Sequence, residues 1–202
     1  MLKRILFVAL LIASLPALAD QKAGAAPAAA AQTQKFDIDN AHTQASFTYD
    51  HFGFSNPTGR LETIKGSIEL NQQDWSKSSV TVTLPLSGLH TGVEKLDAHL
   101  KSADFFDAEK NPDITFKSTK VEKTGENALK VTGDLTAHGV TKPVTLNVTV
   151  NKIGENKMMQ TQTAGFDADA TIKRSDWGVG AYVPAVSDEV KIHLTVSANL
   201  AK

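Results

Sequence analysis

The chain has 202 residues, of which 41% are hydrophobic and 6% aromatic, and it contains no cysteine. This composition excludes a wholly disordered chain, a disulfide-stapled mini-protein, a thiolate zinc module and a thiol enzyme, and the length is short for a multi-domain enzyme. Because 21 Lys and Arg stand against 22 Asp and Glu, there is no basic excess, and we expect no nucleic-acid partner.

The first nineteen residues have the pattern of a secretory signal peptide. Lys3 and Arg4 precede an almost wholly apolar run at 5–15, and Ala-Leu-Ala follows at 17–19. These are the charged start, apolar middle and small-residue cleavage site of such a peptide, with cleavage expected after Ala19. A membrane span needs about 20 apolar residues, so this run is too short for one. We expect a secreted protein of the bacterial periplasm, without stable membrane insertion.

Residues 20–35 are predicted to form a flexible Ala-rich linker. They contain seven alanines in sixteen residues and no large apolar side chain. A stretch this short, broken by Gly24 and Pro27, is a marginal helix in water and has nothing to bury. One domain of ordinary size, 167 residues, then spans 36–202. Without the signal peptide, 19 basic residues stand against 22 acidic ones, a net charge of −3.

From residue 36 onward, apolar residues recur with a period of two, which predicts β-strands. The clearest case is 190–200, where the even-numbered positions are apolar and the odd-numbered positions are polar. Turn residues at 125–127 and 154–156 predict two hairpins. The other alternating segments are 47–49, 64–70, 80–84, 114–116, 129–135, 144–150 and 166–172. About eight strands at short intervals predict an all-β antiparallel sandwich or barrel.

The segment 92–106 departs from this period. Val93, Leu96 and Leu100 stand at i, i+3 and i+7 with charged residues between them. This spacing predicts a short helix that caps one mouth of a barrel, with an irregular loop as the alternative.

Aromatic residues at predicted strand ends leave the barrel interior open to two interpretations. An eight-stranded barrel is just wide enough to be plugged by side chains or to hold one small ligand. Either arrangement fits the aromatic residues found at these positions, which are Phe52, Phe54, Phe105, Phe106, Trp177 and Tyr182.

Residue patterns typical of catalysis are missing from the sequence. The six histidines are dispersed without an HExxH pattern, and Asp97 and His99 stand two apart, which separates them on a helix. There is neither a nucleophile elbow nor a glycine-rich phosphate loop. The residues favour a binding protein over an enzyme, and we assign no catalytic residue, metal ligand or cofactor. A metal site assembled across strands stays an alternative.

Four segments, in order, resemble the YceI-like family. The opening segment, 36–71, carries the family residues Asp39, His42, Phe47, His51, Gly59, Arg60 and Gly66. The segments 90–119, 133–146 and 165–179 match a specific central motif, a hairpin and a late motif. Two departures are visible. Lys95 or Leu96 stands where an arginine is expected before Asp97, and Trp177 stands where phenylalanine is usual.

The resemblance implies a lipocalin-like, antiparallel eight-stranded barrel with a short capping helix. It also implies a periplasmic, non-catalytic protein that holds a polyisoprenoid or another long-chain amphiphilic lipid, for carriage, storage or the envelope stress response. A barrel-fold enzyme acting on a lipid-like substrate and a stress-induced envelope protein acting by protein contact are the alternatives. The oligomeric state is left open, a homodimer included.

The same resemblance leads to a set of predicted site residues. His51, Arg60 and Arg174 are candidates for binding a head group, the arginines through their bidentate fork. For Arg174 and Asp176 the alternative is structural pairing with other loops. Ile192 and Leu194 are assigned to the core, and a closed core without a ligand stays an alternative. The predicted lumen wall consists of Phe47, Tyr49, Phe52, Phe54, Phe105, Phe116, Phe166, Ile172 and Trp177.

Overall fold

The computed structural model of the protein describes residues 32–202. The predicted signal peptide at 1–19 and most of the predicted linker at 20–35 lie outside the described residues. The first strand begins at Gln34, so it includes the last two residues that the composition assigned to the linker.

The described chain forms eleven β-segments and one α-helix. Three short 3-10 helices, at Trp75–Lys77, Leu86–Gly88 and Arg174–Trp177, connect them. The elements in order are β1 (Gln34–Ile38), β2 (Gln44–His51), β3 (Thr58–Leu61), β4 (Lys65–Leu70), β5 (Ser79–Pro85), β6 (Leu89–His90), α1 (Glu94–Lys101), β7 (Asp113–Lys123), β8 (Ala128–Ala137), β9 (Val140–Asn156), β10 (Thr161–Lys173) and β11 (Val186–Leu200).

These segments close into an antiparallel eight-stranded barrel. The ring runs β1-β4-β5-β7-β8-β9-β10-β11 and closes because Phe36 of β1 lies opposite both Ile68 of β4 and Leu200 of β11. β2, β3 and β6 pair side by side and extend the walls beyond the ends of β1, β4 and β5. β2 pairs with the part of β11 that β1 leaves free. The predicted all-β barrel with one short helix is therefore confirmed.

The two-residue period decides which side chains enter the barrel. The even-numbered apolar residues of β11 from 190 to 196 face its interior, and their polar neighbours Lys191 and His193 are exposed. At the end opposite α1, Trp75 packs against a buried apolar cluster. This cluster closes that end and consists of Phe36, Leu70, Ala164, Phe166 and Ala198.

Two element boundaries differ from the predicted ones. The hairpin predicted at 125–127 joins β7 to β8, and the second predicted hairpin joins β9 to β10, but its turn lies after 154–156 because β9 continues to Asn156. The chain turns at 157–160, where the Asn156 side chain accepts hydrogen bonds from the backbone N–H of Met158 and Met159. The helix occupies only Glu94–Lys101, since Gly92 has a non-helical φ of +82°.

Asp97 ties the first turn of α1 to the end of β6. Its carboxylate accepts hydrogen bonds from the Thr91 backbone N–H (2.7 Å) and the Thr91 hydroxyl, and it lies 3.1 Å from His90 Nδ1. The hydrogen bond from the Thr91 hydroxyl is the main cause that lowers the pKa of Asp97. The helix therefore stays in place through an ionised carboxylate.

This tether predicts acid-sensitive docking of α1. Because the folded-state pKa of Asp97 is depressed, its stabilising contribution is present above the unfolded pKa of about 3.9 and is lost as the pH falls through the folded value. Asp97→Asn should lower the hydrogen-exchange protection of the α1 amides at pH 6. In this variant the protection should also depend less on pH below 4 than it does in the wild-type protein. Asp104→Asn, at an exposed position just after the helix, is the control. Equal protection in the Asp97→Asn variant and the wild-type protein would contradict the tether.

Candidate functional site

The interior of the barrel is a continuous cavity of about 770 Å³. Its lining runs from His51 and Tyr182 at the α1 end to Leu70 and Trp75 at the other end. The volume falls within the 300–1,000 Å³ that is usual for small-molecule sites. Of the two arrangements that an eight-stranded barrel permits, this chain therefore has the open one, and side chains do not plug the interior.

Many inward-pointing apolar side chains of the walls are only half-buried, because they face the cavity rather than another side chain. Ile192 and Leu194 belong to this group: they pack against the main core cluster, as predicted, and also line the cavity. Several other half-buried residues of the wall are missing from the predicted lumen wall, although the two-residue alternation marks them as inward-facing. These are Val80, Val82, Leu135, Leu146, Val148 and Val196.

Eight of the nine residues predicted for the lumen wall line the cavity. The exception is Phe54, which lies outside it and is 91% exposed. The prediction for Phe54 rests on its being an aromatic residue near a strand end, but Phe52 and Gly53 both have positive φ, and this tight turn after β2 directs Phe54 away from the cavity. Ligand binding by the other eight stays a prediction. They are Phe47, Tyr49, Phe52, Phe105, Phe116, Phe166, Ile172 and Trp177.

Two of the lining rings lie flat against glycines of the neighbouring strands. Phe47 of β2 is opposite Gly59 of β3, and a Cβ atom at Gly59 would overlap its ring. Phe116 of β7 is opposite Leu135 of β8, and its ring also covers Gly133, where a Cβ atom would meet both the ring and the Lys117 carbonyl. A glycine beneath each ring leaves it room against the wall, so the lumen stays wide at these two levels.

Gly59→Ala is expected to push the Phe47 ring away from the wall and into the cavity. The far end of the ring is the part that a Cβ atom would meet, so the ring can swing and the barrel should remain folded. We expect several-fold weaker binding of a long-chain fluorescent probe, measured by titration. Gly154→Ala on β9 is the matched control, since the nearest atom to its Cβ is 4.0 Å away. Equal affinity in the two variants would show that the ring position does not limit the cavity.

An aromatic group surrounds the opening at the α1 end. The His99 ring meets Phe105 edge-on at 4.9 Å between centroids and lies 6.2 Å from Tyr182. Phe52 and Tyr182 line the cavity and yet are 50% and 61% exposed, which places them at its mouth. Both have left-handed backbone conformations, with φ of 58° and 63°. Such conformations cost roughly 1–2 kcal/mol in a residue with a side chain.

Arg174 holds the loop beside this mouth. Its Nε donates to the Ser187 carbonyl at 2.9 Å, its Nη2 to that of Val186 at 3.0 Å, and its Nη1 to that of Val179. Burial lowers the pKa of Arg174 and raises that of Tyr49, and the two groups interact electrostatically. The structural role considered for Arg174 is therefore present, and the same side chain also lines the cavity.

The other polar candidates lie in different places. Arg60 is on the exposed outer face of β3, because Gly59 and Leu61 on either side of it face the cavity; the predicted head-group role of Arg60 is therefore not supported by its position. Asp176 forms an ion pair at 3.0 Å with Lys142, so it has a structural partner, on strand β9 rather than on another loop. His51 lines the mouth and is exposed.

The residues that the structure describes show neither a metal cluster nor a membrane-spanning helix. No three His, Asp or Glu side chains within 32–202 come together in a way that could hold a metal ion. In the same range, no helix is long and apolar enough to cross a membrane.

Comparison with known proteins identifies the family. Residues 36–198 match the YceI-like domain. The chain belongs to the YceI-like family. A UPF0312 protein of Photorhabdus laumondii is 37% identical over 172 residues, which cover 85% of this chain and 88% of that protein.

Two solved structures share the fold of this YceI-like chain. Burkholderia cenocepacia BcnA superposes with a TM-score of 0.73 at 27% identity, covering 80% of this chain and 99% of BcnA. A polyisoprenoid binding domain from Saccharophagus degradans, implicated in plant cell wall breakdown, gives a TM-score of 0.64 at 14% identity. That match covers 84% of this chain and the whole of that one, and at this identity it shows the fold alone.

The two departures from the YceI-like pattern have local structural explanations. Near the position where an arginine is expected, His90 and Thr91 contact the Asp97 carboxylate and tie the helix to β6 without one. Trp177 is buried, and its indole Nε1 donates to the Leu135 carbonyl at 3.1 Å, while its own carbonyl lies 3.0 Å from His138 Nδ1. The tryptophan therefore adds a hydrogen bond to the barrel wall and does more than change bulk.

Proposed function

We propose that this YceI-like chain is a non-catalytic binding protein that holds one long-chain amphiphilic lipid of the polyisoprenoid class in its barrel. One observation carries the proposal: an apolar cavity of about 770 Å³ extends from the mouth at Tyr182 to Trp75 near the closed end. A cavity that runs through the barrel fits a chain-like ligand, and a mouth at one end leaves room for a polar head. The description of the Saccharophagus domain as polyisoprenoid-binding supports the same ligand class.

Hydrophobic burial explains how such a cavity would bind a tail. Each buried methylene contributes about 0.8 kcal/mol, so a five-carbon prenyl unit contributes a few kcal/mol before losses. Non-covalent affinities level off near −20 kcal/mol, and chain ordering opposes the gain. Affinity should therefore rise with tail length and then level off when the cavity is filled.

Polar groups at the mouth would fix the direction of the ligand. Arg174, His51 and Tyr49 line the cavity near its opening. The three carbonyl bonds of Arg174 use three of the five guanidinium N–H groups, and an anionic head is the partner that its charge favours. We therefore expect a phosphorylated prenyl chain to bind more tightly than the corresponding alcohol.

Carriage or storage fits the lining better than catalysis. Among the described residues that line the cavity, there is no Asp, Glu or Lys to pair with a second group as a general acid or base. The signal-peptide pattern at 1–19 supports a periplasmic location for the proposed binding protein. Cell fractionation with N-terminal sequencing tests this location, and a cytoplasmic chain that keeps residues 1–19 would contradict it.

A chain-length series tests the binding proposal. Prenyl alcohols and prenyl phosphates of two to eight units should displace a fluorescent fatty-acid probe from the purified mature chain. The expected affinity rises by tenfold or more over the first units and then levels off, with the phosphates binding more tightly. Displacement that is independent of tail length, or the absence of any probe binding, would overturn the proposal.

A further inference from the structure

Exposed apolar side chains concentrate around the mouth of the cavity. Within residues 32–202, five of the seven large apolar side chains that are exposed lie at the α1 end, and only Met158 and Met159 lie at the opposite end. We call the five the mouth rim: Phe52, Phe54, Val93, Tyr182 and Val183, exposed by 50, 91, 55, 61 and 38%.

The mouth rim is one surface although three separate segments form it. The backbone N–H of Phe52 donates to the Ala185 carbonyl at 3.0 Å, which joins the turn after β2 to the loop before β11. The Tyr182 ring of that loop lies 6.2 Å from the His99 ring of α1, and Val93 directly precedes α1. Phe52, Val93 and Tyr182 also line the cavity, so the rim is continuous with the ligand site.

The two loops of the rim carry no formal charge. Neither 51–59 nor 178–187 contains Asp, Glu, Lys or Arg. By contrast, the turn that exposes Met158 and Met159 begins at Lys157. Uncharged, aromatic-containing loops are suited to the boundary between lipid head groups and acyl chains, where charged side chains are disfavoured. The third segment of the rim continues from Val93 into the exposed Glu94 and Lys95 of α1, whose charges suit the head-group side of that boundary.

We propose that the mouth rim inserts into the surface of a lipid bilayer, so that the ligand passes between the membrane and the cavity without crossing water. The inference rests on the proposed function, because an amphiphilic lipid resides in a bilayer before it is bound. Phe54 distinguishes membrane contact from ligand contact, since it is the most exposed rim residue and lies outside the cavity.

Vesicle flotation tests this proposal with the mature full-length chain. The probe is a vesicle of phosphatidylethanolamine and phosphatidylglycerol, with and without 0.5 M NaCl. The wild-type chain should float with the vesicles, and Phe54→Ser should reduce its partition about tenfold, as expected for withdrawing one phenylalanine from lipid. Salt should change the partition by less than about twofold, because screening weakens charge attraction and not apolar insertion.

Met158→Ser is the matched control, because Met158 is 93% exposed at the opposite end, and this variant should float like the wild-type chain. Equal loss in the two variants, unchanged flotation of Phe54→Ser, or no flotation of the wild-type chain would overturn the proposal. A dimer that Phe54→Ser converts to monomer, without vesicle binding, would instead make the rim an interface between copies. Binding of the fluorescent probe in vesicle-free solution should be equal in Phe54→Ser and the wild-type chain. If neither binds the probe, the proposed lipid-binding function fails, whatever the flotation result.

Discussion

Replacing Leu194 with tryptophan is expected to reduce the binding of a long-chain probe by tenfold or more. Leu194 lies midway along β11, faces the cavity and is half-buried. Its partners on the two neighbouring strands are Ala45 and Ala168, so small side chains flank it on both sides. An indole at this position would extend across a lumen that is only one ligand wide. Ligands that need the full length of the cavity should then be excluded.

The barrel should tolerate this change. The larger side chain enters cavity space, so we expect the free energy of unfolding to shift by no more than about 1.5 kcal/mol. Lys191→Trp is the matched control, since Lys191 is on the same strand with its side chain on the exposed outer face. Probe titration and chemical unfolding of both variants separate loss of the site from loss of the fold. If Leu194→Trp folds and binds normally, the ligand site is not this cavity.

Replacing Trp177 with alanine is expected to lower the free energy of unfolding by about 3–5 kcal/mol, the usual range for removing a buried tryptophan. The side chain is 4% exposed and belongs to the main buried cluster. Its loss also leaves the Leu135 carbonyl on β8 without the indole N–H. The barrel wall at the mouth should therefore loosen along with the 3-10 helix that carries Trp177.

Trp177→Phe separates the hydrogen bond from the packing. Phenylalanine keeps an aromatic ring in the site, so we expect a loss of about 0.5–1.5 kcal/mol, the usual net value of one hydrogen bond. Urea unfolding followed by circular dichroism measures the Trp177→Ala and Trp177→Phe variants on the same scale. Equal losses would mean that the hydrogen bond, rather than the volume of the side chain, dominates. A loss below about 1 kcal/mol in Trp177→Ala would contradict the buried role.

The sequence predicts the walls of this barrel well because a strand with one buried face has a period of two. In β11, alternation alone identifies the inward residues from 190 to 196, and the structure confirms each. β3 offers no such signal, because it is only four residues long and contains Gly59 where an apolar side chain would reveal its face. The outward position of Arg60 therefore follows only from its pairing with β2 and β6.

Other features depend on tertiary packing that a local pattern does not record. Trp75 reaches the cavity from a short 3-10 helix between strands, where no period applies. Phe54 leaves the wall because Phe52 and Gly53 reverse the chain with positive φ. Whether the interior is open depends on the total side-chain volume relative to the barrel width, so the alternation that marks Ile192 and Leu194 as inward-facing does not reveal that they also line a cavity.

Native mass spectrometry of the mature chain purified from bacterial periplasm tests directly whether the barrel holds a lipid. We expect one lipid bound per chain, extractable into organic solvent, and no lipid in Leu194→Trp prepared in the same way. Wild-type protein that carries no lipid from the cell, and takes up none when prenyl phosphates are added, would contradict it.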